Sequence, residues 1–182
     1  MLVGGRSRRM GFDKASLTLE GRPLAVRVAS AVNRVCGSVT LVGDPEKYRT
    51  LGLRVVPDKF PGAGPLAGIE AALRLTTSEW NLIAACDMPA LNTSVFEELF
   101  RTAVTEEGAD CALPQYPDGR VEPLSAVYHR RCHPVIRAAL EADIRKITDA
   151  LRPLAIRYLR VASEAPFANL NTPEELRKYL NG

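Results

Sequence analysis

Leu2-Val3-Gly4-Gly5-Arg6-Ser7-Arg8-Arg9-Met10-Gly11-Phe12-Asp13-Lys14 runs from an apolar pair into two glycines and then into a cationic loop. The apolar pair reads as the carboxyl end of a β-strand. Two glycines at that point let the backbone approach a ligand and aim its N–H groups at an anion. Arg9 and Lys14 carry the charges that phosphate oxygens take up, Arg through bidentate bonds and Lys as a point charge. At ~4 Å and an effective dielectric near 20, each such charge pair is worth on the order of 4 kcal/mol before desolvation. The commoner phosphate loops do not fit. A P-loop requires GxxxxGK[ST], whereas here Lys14 lies three residues after Gly11 and is followed by Ala15, and the GxGxxG fingerprint is absent. A flexible basic loop would explain two glycines alone, but not the whole string placed after a strand.

Working outward, short β-type runs alternate with helical stretches. Ser38 to Val42, Leu53 to Val56, Trp80 to Cys86, Ala109 to Leu113, Pro123 to Tyr128 and Ile156 to Val161 read as strands. The near-continuous apolar run Trp80 to Cys86 is that of a strand buried on both faces. Pro23 to Val35, Pro65 to Leu75, a segment from Thr93 or Ser94 to about Glu107, His133 to Leu140 and Ile144 to Leu151 read as helices. Pro65 suits a first helical turn, and Ser94 with Glu97 has capping-box spacing. Thr172-Pro173-Glu174-Glu175 reads as the start of a last helix. The alternation predicts an α/β fold with a mostly parallel sheet, three-layered and Rossmann-like. In such sheets ligands bind beyond the carboxyl ends of the strands. Gly4, Asp58 and Asp87 fall at such ends. Only three residues precede Gly4, fewer than the five or six usual for a strand. We therefore expect a natural start some residues upstream.

Composition narrows the class. The chain has 182 residues, 46% hydrophobic and 25% charged, which suits one compact domain needing no disulfide or metal staple. Its longest apolar run, Leu82 to Cys86, is far short of the ~20 residues that span a bilayer, and no signal-peptide pattern opens it. Cys36, Cys86, Cys111 and Cys132 form no CxxC pair, so we expect reduced thiols and a cytoplasmic location. The net charge of +3 does not argue for nucleic acid, but the first 34 residues carry seven cations against two acids, which points to a local anion site. His129 and His133 lack metal-ligand spacing and read as solvated or capping.

The opening string resembles the LAGGxSxRMGxDK signature of molybdenum cofactor guanylyltransferases, and more broadly of nucleotidyltransferases with the nucleotide-diphospho-sugar transferase fold. Val3 replaces the usual Ala. Four further segments follow in the family's order: Asp87-Met88-Pro89 resembles its DxP motif, Gly64 to Gly68 its GPLAG segment, Pro123 to Tyr128 its PLxAvY strand, and Asn169 to Leu176 its NxNTPEEL segment. The resemblance spans nearly the whole chain. It implies that Leu2, Val3, Gly4, Gly5, Lys14, Asp58 and Asp87 line a GTP site, with Arg9, Lys14 and Asp87 catalytic. It also implies that Asn169 and Asn171 lie near the acceptor. Where the family has an Asn after the second strand, this chain has Val42, with Asp44 or backbone as substitutes.

Asp87 also stands on its own chemistry. A carboxylate at the end of a buried central strand is held rigidly over the crevice, and magnesium takes one or two carboxylates together with phosphate oxygens and waters. A turn-forming or helix-capping Asp is the plain alternative. The expected function is GMP transfer from GTP to molybdenum-bound molybdopterin, with Mg²⁺ as cofactor and pyrophosphate as the other product. Residues from about 1 to 90 would bind nucleotide and those from about 91 to 182 the acceptor, within one domain spanning 1–182. Synthesis proteins of the molybdenum cofactor and recipient molybdoenzymes are expected as transient partners, with no nucleic acid or membrane. Rival readings are a relative using CTP or another phosphate acceptor, and a non-catalytic nucleotide-binding maturation factor.

Overall fold

The computed structural model describes residues 1–3, 13–19, 21–105, 107–170, 175 and 179. Gly4, Gly5, Arg9, Asn171 and the expected cap at Thr172 lie outside the described residues.

Residues 1–3 form the middle of the sheet. On one side Leu2 N donates to Ala84 O at 2.8 Å and Cys86 N to Leu2 O at 3.2 Å. On the other, Val3 N donates to Val42 O and Val42 N to Met1 O, both at 2.9 Å. Strand β3 (Leu41–Val42) thus runs parallel to residues 1–3, and β4 (Val55–Val56) runs parallel to β3. Beyond residues 1–3 lie β5 (Trp80–Ala84), β7 (Ser125–His129), β6 (Cys111–Gln115) and β8 (Ile156–Arg160), in that order. Strands β1 (Thr18–Leu19) and β2 (Arg22–Pro23) form a separate antiparallel ribbon.

The expectation of a mostly parallel sheet holds with one exception. Strand β7 runs antiparallel to both β5 and β6. Nine residues, 116–124, join β6 to β7 without a helix, and a parallel crossover needs a dozen or more.

Alternate residues along each strand enter opposite layers, as the two-residue period requires. Leu82, Ala84, Ala112 and Val127 pack with Val28 and Val32 of α1 (Leu24–Cys36) and Phe96 and Leu99 of α4 (Thr93–Val104). Ile83, Cys111, Leu113 and Tyr128 pack with Leu66 and Ile69 of α3 (Pro65–Leu75) and Ile136 and Leu140 of α5 (His133–Glu141). The molecule is therefore helix, sheet, helix, as the alternation predicted. Two short helices, α2 (Pro45–Tyr48) and α6 (Ile147–Ala150), fill connections.

Local signals set the helix ends. Gly37, at φ +70°, ends α1 in the left-handed conformation with its N–H on Asn33 O. Pro65 opens α3 as expected. The cap of α4 is Asn92, not Thr93 or Ser94: Asn92 Oδ1 accepts Val95 N at 3.2 Å, and Ser94 Oγ donates to the same oxygen at 2.7 Å. With its hydroxyl turned to Asn92, Ser94 does not form the expected capping box. The histidines divide. His129 caps a 3₁₀ turn, its Nδ1 accepting Arg131 N at 3.1 Å. His133 instead joins α5 to α3 through buried Glu70 at 2.9 Å, so its role is neither solvated nor capping. Disulfides are absent, all four cysteines being free. Among the described residues no helix is long and apolar enough to cross a membrane.

Candidate active site at the carboxyl edge of the sheet

Strands β4 and β3, residues 1–3 and β5 run in one direction, so they end on one edge. Asp58, Asp44 and Asp87 follow three of those ends.

Asp87 leaves β5 immediately after the buried Ala85 and Cys86. Its Oδ2 meets Lys14 Nζ at 3.1 Å. Lys14 begins a 3₁₀ turn, Lys14–Ser16, whose start is fixed by Asp13: the Asp13 Oδ1 accepts Ala15 N at 3.2 Å. The other Asp13 oxygen lies 3.2 Å from Lys47 Nζ on α2, tying the end of the opening loop to the helix after β3. Burial, then the charges of Asp87 and Asp13, push the Cys86 thiol up to about 12. Cys86 is thus a packed thiol, with no thiolate at neutral pH.

The far end of the chain returns to this point. Leu170 N donates to the Asp87 carbonyl at 2.8 Å. Leu170 is anchored in a small apolar cluster with Leu19 and Leu24, which sets Asn169 beside Asp87. The structure therefore brings Lys14, Asp87 and Asn169 together.

Other expected site residues stand differently. Leu2 and Val3 are buried in the middle of the sheet, so only their backbone could meet a ligand. Val42 is buried with Leu2 and Val56 and cannot replace the family's Asn. Asp44 caps α2, its Oδ1 accepting Glu46 N at 3.0 Å and Lys47 N at 3.4 Å. Asp58 Oδ1 accepts Phe60 N at 3.1 Å, which shapes the turn leading to α3. It lies three strand spacings from Asp87, about 14 Å at the usual interstrand distance, so Asp58 does not join the Lys14–Asp87 contact.

The chain between β6 and β7 adds a residue not singled out from the sequence. Glu122 Oε1 accepts Leu124 N at 3.1 Å. Burial pushes its carboxyl above the ordinary range; the Leu124 N–H opposes the rise and the charge of Asp87 adds to it. A turn, Ser125 N on Glu122 O at 3.3 Å, and the bond from Glu122 N to Pro114 O at 3.0 Å set this placement, and no local sequence signal announces either. Glu122 and Asn169 line a groove of about 700 Å³ together with Tyr116, Arg120, Lys146 and Phe167. Arg120 is paired with Asp118 at 2.5 Å and with Glu164, and lies over the Tyr116 ring at 5.2 Å. A second groove, about 600 Å³, opens among Met1, Ser38, Thr40 and Trp80 at the opposite, amino edge of the strands.

Among the described residues no group of three or more His, Cys, Asp and Glu could enclose a metal. A single rigid carboxylate in a crevice suits a hard cation that completes its shell with phosphate and water oxygens, as magnesium does. It does not suit a closed four-ligand zinc site.

Residues 1–157 match the family described as the MobA-like NTP transferase domain. A Pelotomaculum thermopropionicum protein named "Probable molybdenum cofactor guanylyltransferase" is 38% identical, covering 98% of this chain and 89% of its own. A Carboxydothermus hydrogenoformans protein of the same name is 33% identical over 99% of this chain and 93% of its own. The crystal structure of molybdopterin-guanine dinucleotide biosynthesis protein A from Archaeoglobus fulgidus superposes with a TM-score of 0.84 at 29% identity, covering 99% of this chain and 95% of that one.

Proposed function

The chain belongs to the MobA-like NTP transferase family, and from that premise we propose that it transfers GMP from GTP to the terminal phosphate of molybdenum-bound molybdopterin. The products are the guanine dinucleotide cofactor and pyrophosphate. The observation that carries this reading is the meeting of Lys14 and Asp87 at the carboxyl edge, 3.1 Å apart, in a chain with close relatives named for this reaction.

The attacking oxygen belongs to the acceptor's own phosphate, so no protein nucleophile is required. Catalysis then rests on positioning the two phosphates in line and on neutralising their charge. Lys14 would take up charge on the departing pyrophosphate, aided by Arg9 and the amides of Gly4 and Gly5. Asp87 would hold Mg²⁺, which when bound polarises phosphate oxygens and offsets their charge. Asn169, tethered next to Asp87 through Leu170, would face the acceptor together with Asn171. Asp58 would meet the nucleotide at its far end. Nucleotide thus occupies roughly the first half of a single domain, residues 1–90, and acceptor the remainder. A cytoplasmic location and brief contacts with recipient molybdoenzymes fit this reaction.

Isothermal titration with GTP and CTP in Mg²⁺, joined to an assay of pyrophosphate release with molybdopterin, tests the reading. Tighter GTP binding and release dependent on acceptor are expected. Tighter CTP binding defeats the guanylyl assignment, and binding without release defeats the enzyme.

A further inference from the structure

Glu122 is a carboxylate outside the Lys14–Asp87 pair. It closes the nine-residue return between β6 and β7, and the Leu124 N–H on its Oε1 holds it in position. The antiparallel register places Ala84 opposite Ser125, and Ala85 N donates to Leu124 O at 2.8 Å. Past that bond a turn takes over, Ser125 N donating to Glu122 O at 3.3 Å, and Glu122 N donates to Pro114 O of β6 at 3.0 Å, which leaves Glu122 just beyond the β5 end from which Asp87 emerges. Asn169 reaches the same spot through Leu170 and Asp87. The groove at this meeting point holds about 700 Å³, within the range of small-molecule sites.

Charge decides which part of an acceptor can occupy it. Two cations line the groove: Arg120 is engaged by Asp118 and Glu164, and Lys146 Nζ lies 3.9 Å from Asp149 Oδ1. A fixed carboxylate there repels a phosphate and attracts N–H donors, because an ionised carboxylate only accepts hydrogen bonds. One wall is aromatic: the Tyr116 and Phe167 rings meet edge to face, centroids 5.9 Å apart. Both rings are buried, and Arg120 lies over the Tyr116 ring at 5.2 Å, so they give the groove a rigid floor. The groove therefore favours a neutral, nitrogen-bearing body that brings N–H donors to Glu122, and its carboxylate turns away the phosphate end.

We propose that Glu122 is a specificity-determining residue that accepts the amino and ring N–H donors of the acceptor's pterin. It thereby orients the acceptor with its phosphate toward Lys14 and Asp87. The inference rests on the guanylyl-transfer reading for the identity of the acceptor. Repulsion against a reversed acceptor is as much a part of the selection as the attraction.

Two measurements on the full chain separate this inference from that reading. The first is fluorescence titration of molybdopterin, without nucleotide, into wild type and Glu122→Gln. The Gln variant keeps an oxygen for Leu124 N and so keeps the local turn. Binding weaker by about tenfold or more is expected, in line with one lost charge-assisted contact. The second is steady-state kinetics with GTP and molybdopterin. There the KM for molybdopterin should rise while the KM for GTP stays within about twofold. Unchanged molybdopterin affinity, or a parallel rise in both KM values, overturns the role of Glu122. Absence of turnover in wild type defeats the reaction but leaves the titration to decide the groove.

Discussion

Lys14 and Asp87 lie 73 residues apart in the chain and 3.1 Å apart in the fold. Lys14 starts a turn after the opening loop and Asp87 ends the central strand. Their side chains are largely shielded, at 17% and 22% exposure. A cation and a carboxylate held at one edge provide complementary partners for a metal-bound polyphosphate. In the proposed reaction the cation would take phosphate oxygens, and the carboxylate would hold the metal.

Removing the cation should therefore affect turnover and spare the fold. Lys14→Ala is expected to lower pyrophosphate release by about 100-fold or more, the usual effect of losing one charge-stabilising donor. The turn itself is set by Asp13 and Ala15 N, so the circular dichroism melt should match wild type. Near-normal product formation would refute the role.

Asp87→Asn preserves size and removes charge. Outer-shell changes at metal sites already cost about 10–100-fold in affinity, and loss of the ligand's own charge should cost at least as much. The Mg²⁺ concentration giving half-maximal activity should rise by at least about tenfold. A magnesium titration superimposable on wild type would remove Asp87 from the metal site.

Gly43 is required for a different reason. A Cβ built there would stand 2.1 Å from the Val3 carbonyl oxygen and 3.0 Å from both Tyr48 Cε2 and Val3 Cγ2. The carbonyl is backbone, of a residue whose N–H is bonded to Val42 O, and cannot yield as the end of a flexible side chain would. Gly43→Ala should cost about 3 kcal/mol or more, at the upper end of overpacking effects. Urea denaturation measures it, and a loss under about 1 kcal/mol would show that the backbone can part there.

Asp110 makes the stability pH-dependent. Burial opposes its charge, but Ala155 N at 2.8 Å and Arg131 Nε at 2.6 Å outweigh that effect and hold its carboxyl below the ordinary range. A depressed folded pKa gives stability present above the unfolded value near ~3.9 and lost as pH falls through the folded one. Asp110→Ala should therefore lose about 1.5–3 kcal/mol at pH 7. The gap to wild type should narrow toward pH 3. An equal gap at both pH values, by urea denaturation, contradicts the assignment.

Some of this molecule was legible along the chain. The run Leu82 to Cys86 announced a strand buried on both faces, and Ile83 and Leu82 do enter opposite layers. Pro65 announced a helix start. The opening string and Asp87 carried enough local chemistry to suggest an anion and metal site, and of these residues the fold brings Lys14 and Asp87 within 3.1 Å. The α4 cap was missed because Asn92, Thr93 and Ser94 are all competent caps, and only the direction of the Ser94 hydroxyl separates them. Val42, which stands where the family has an Asn, is buried with Leu2 and Val56, and Asp44, the expected substitute, is engaged in capping α2.

Residue type, spacing and period depend on neighbours a few positions away, so the fold class and the Pro65 helix start could be read in order along the chain. Which residues meet across the sheet depends on register, and a register is set by all the packed strands at once. That is why Glu122 on Pro114 of β6, Leu170 on the Asp87 carbonyl and Gly43 against Val3 emerged only when the strands were folded together. The chain carried Lys14 and Asp87 at a separation of 73 residues, and the packing of the sheet set the 3.1 Å between them.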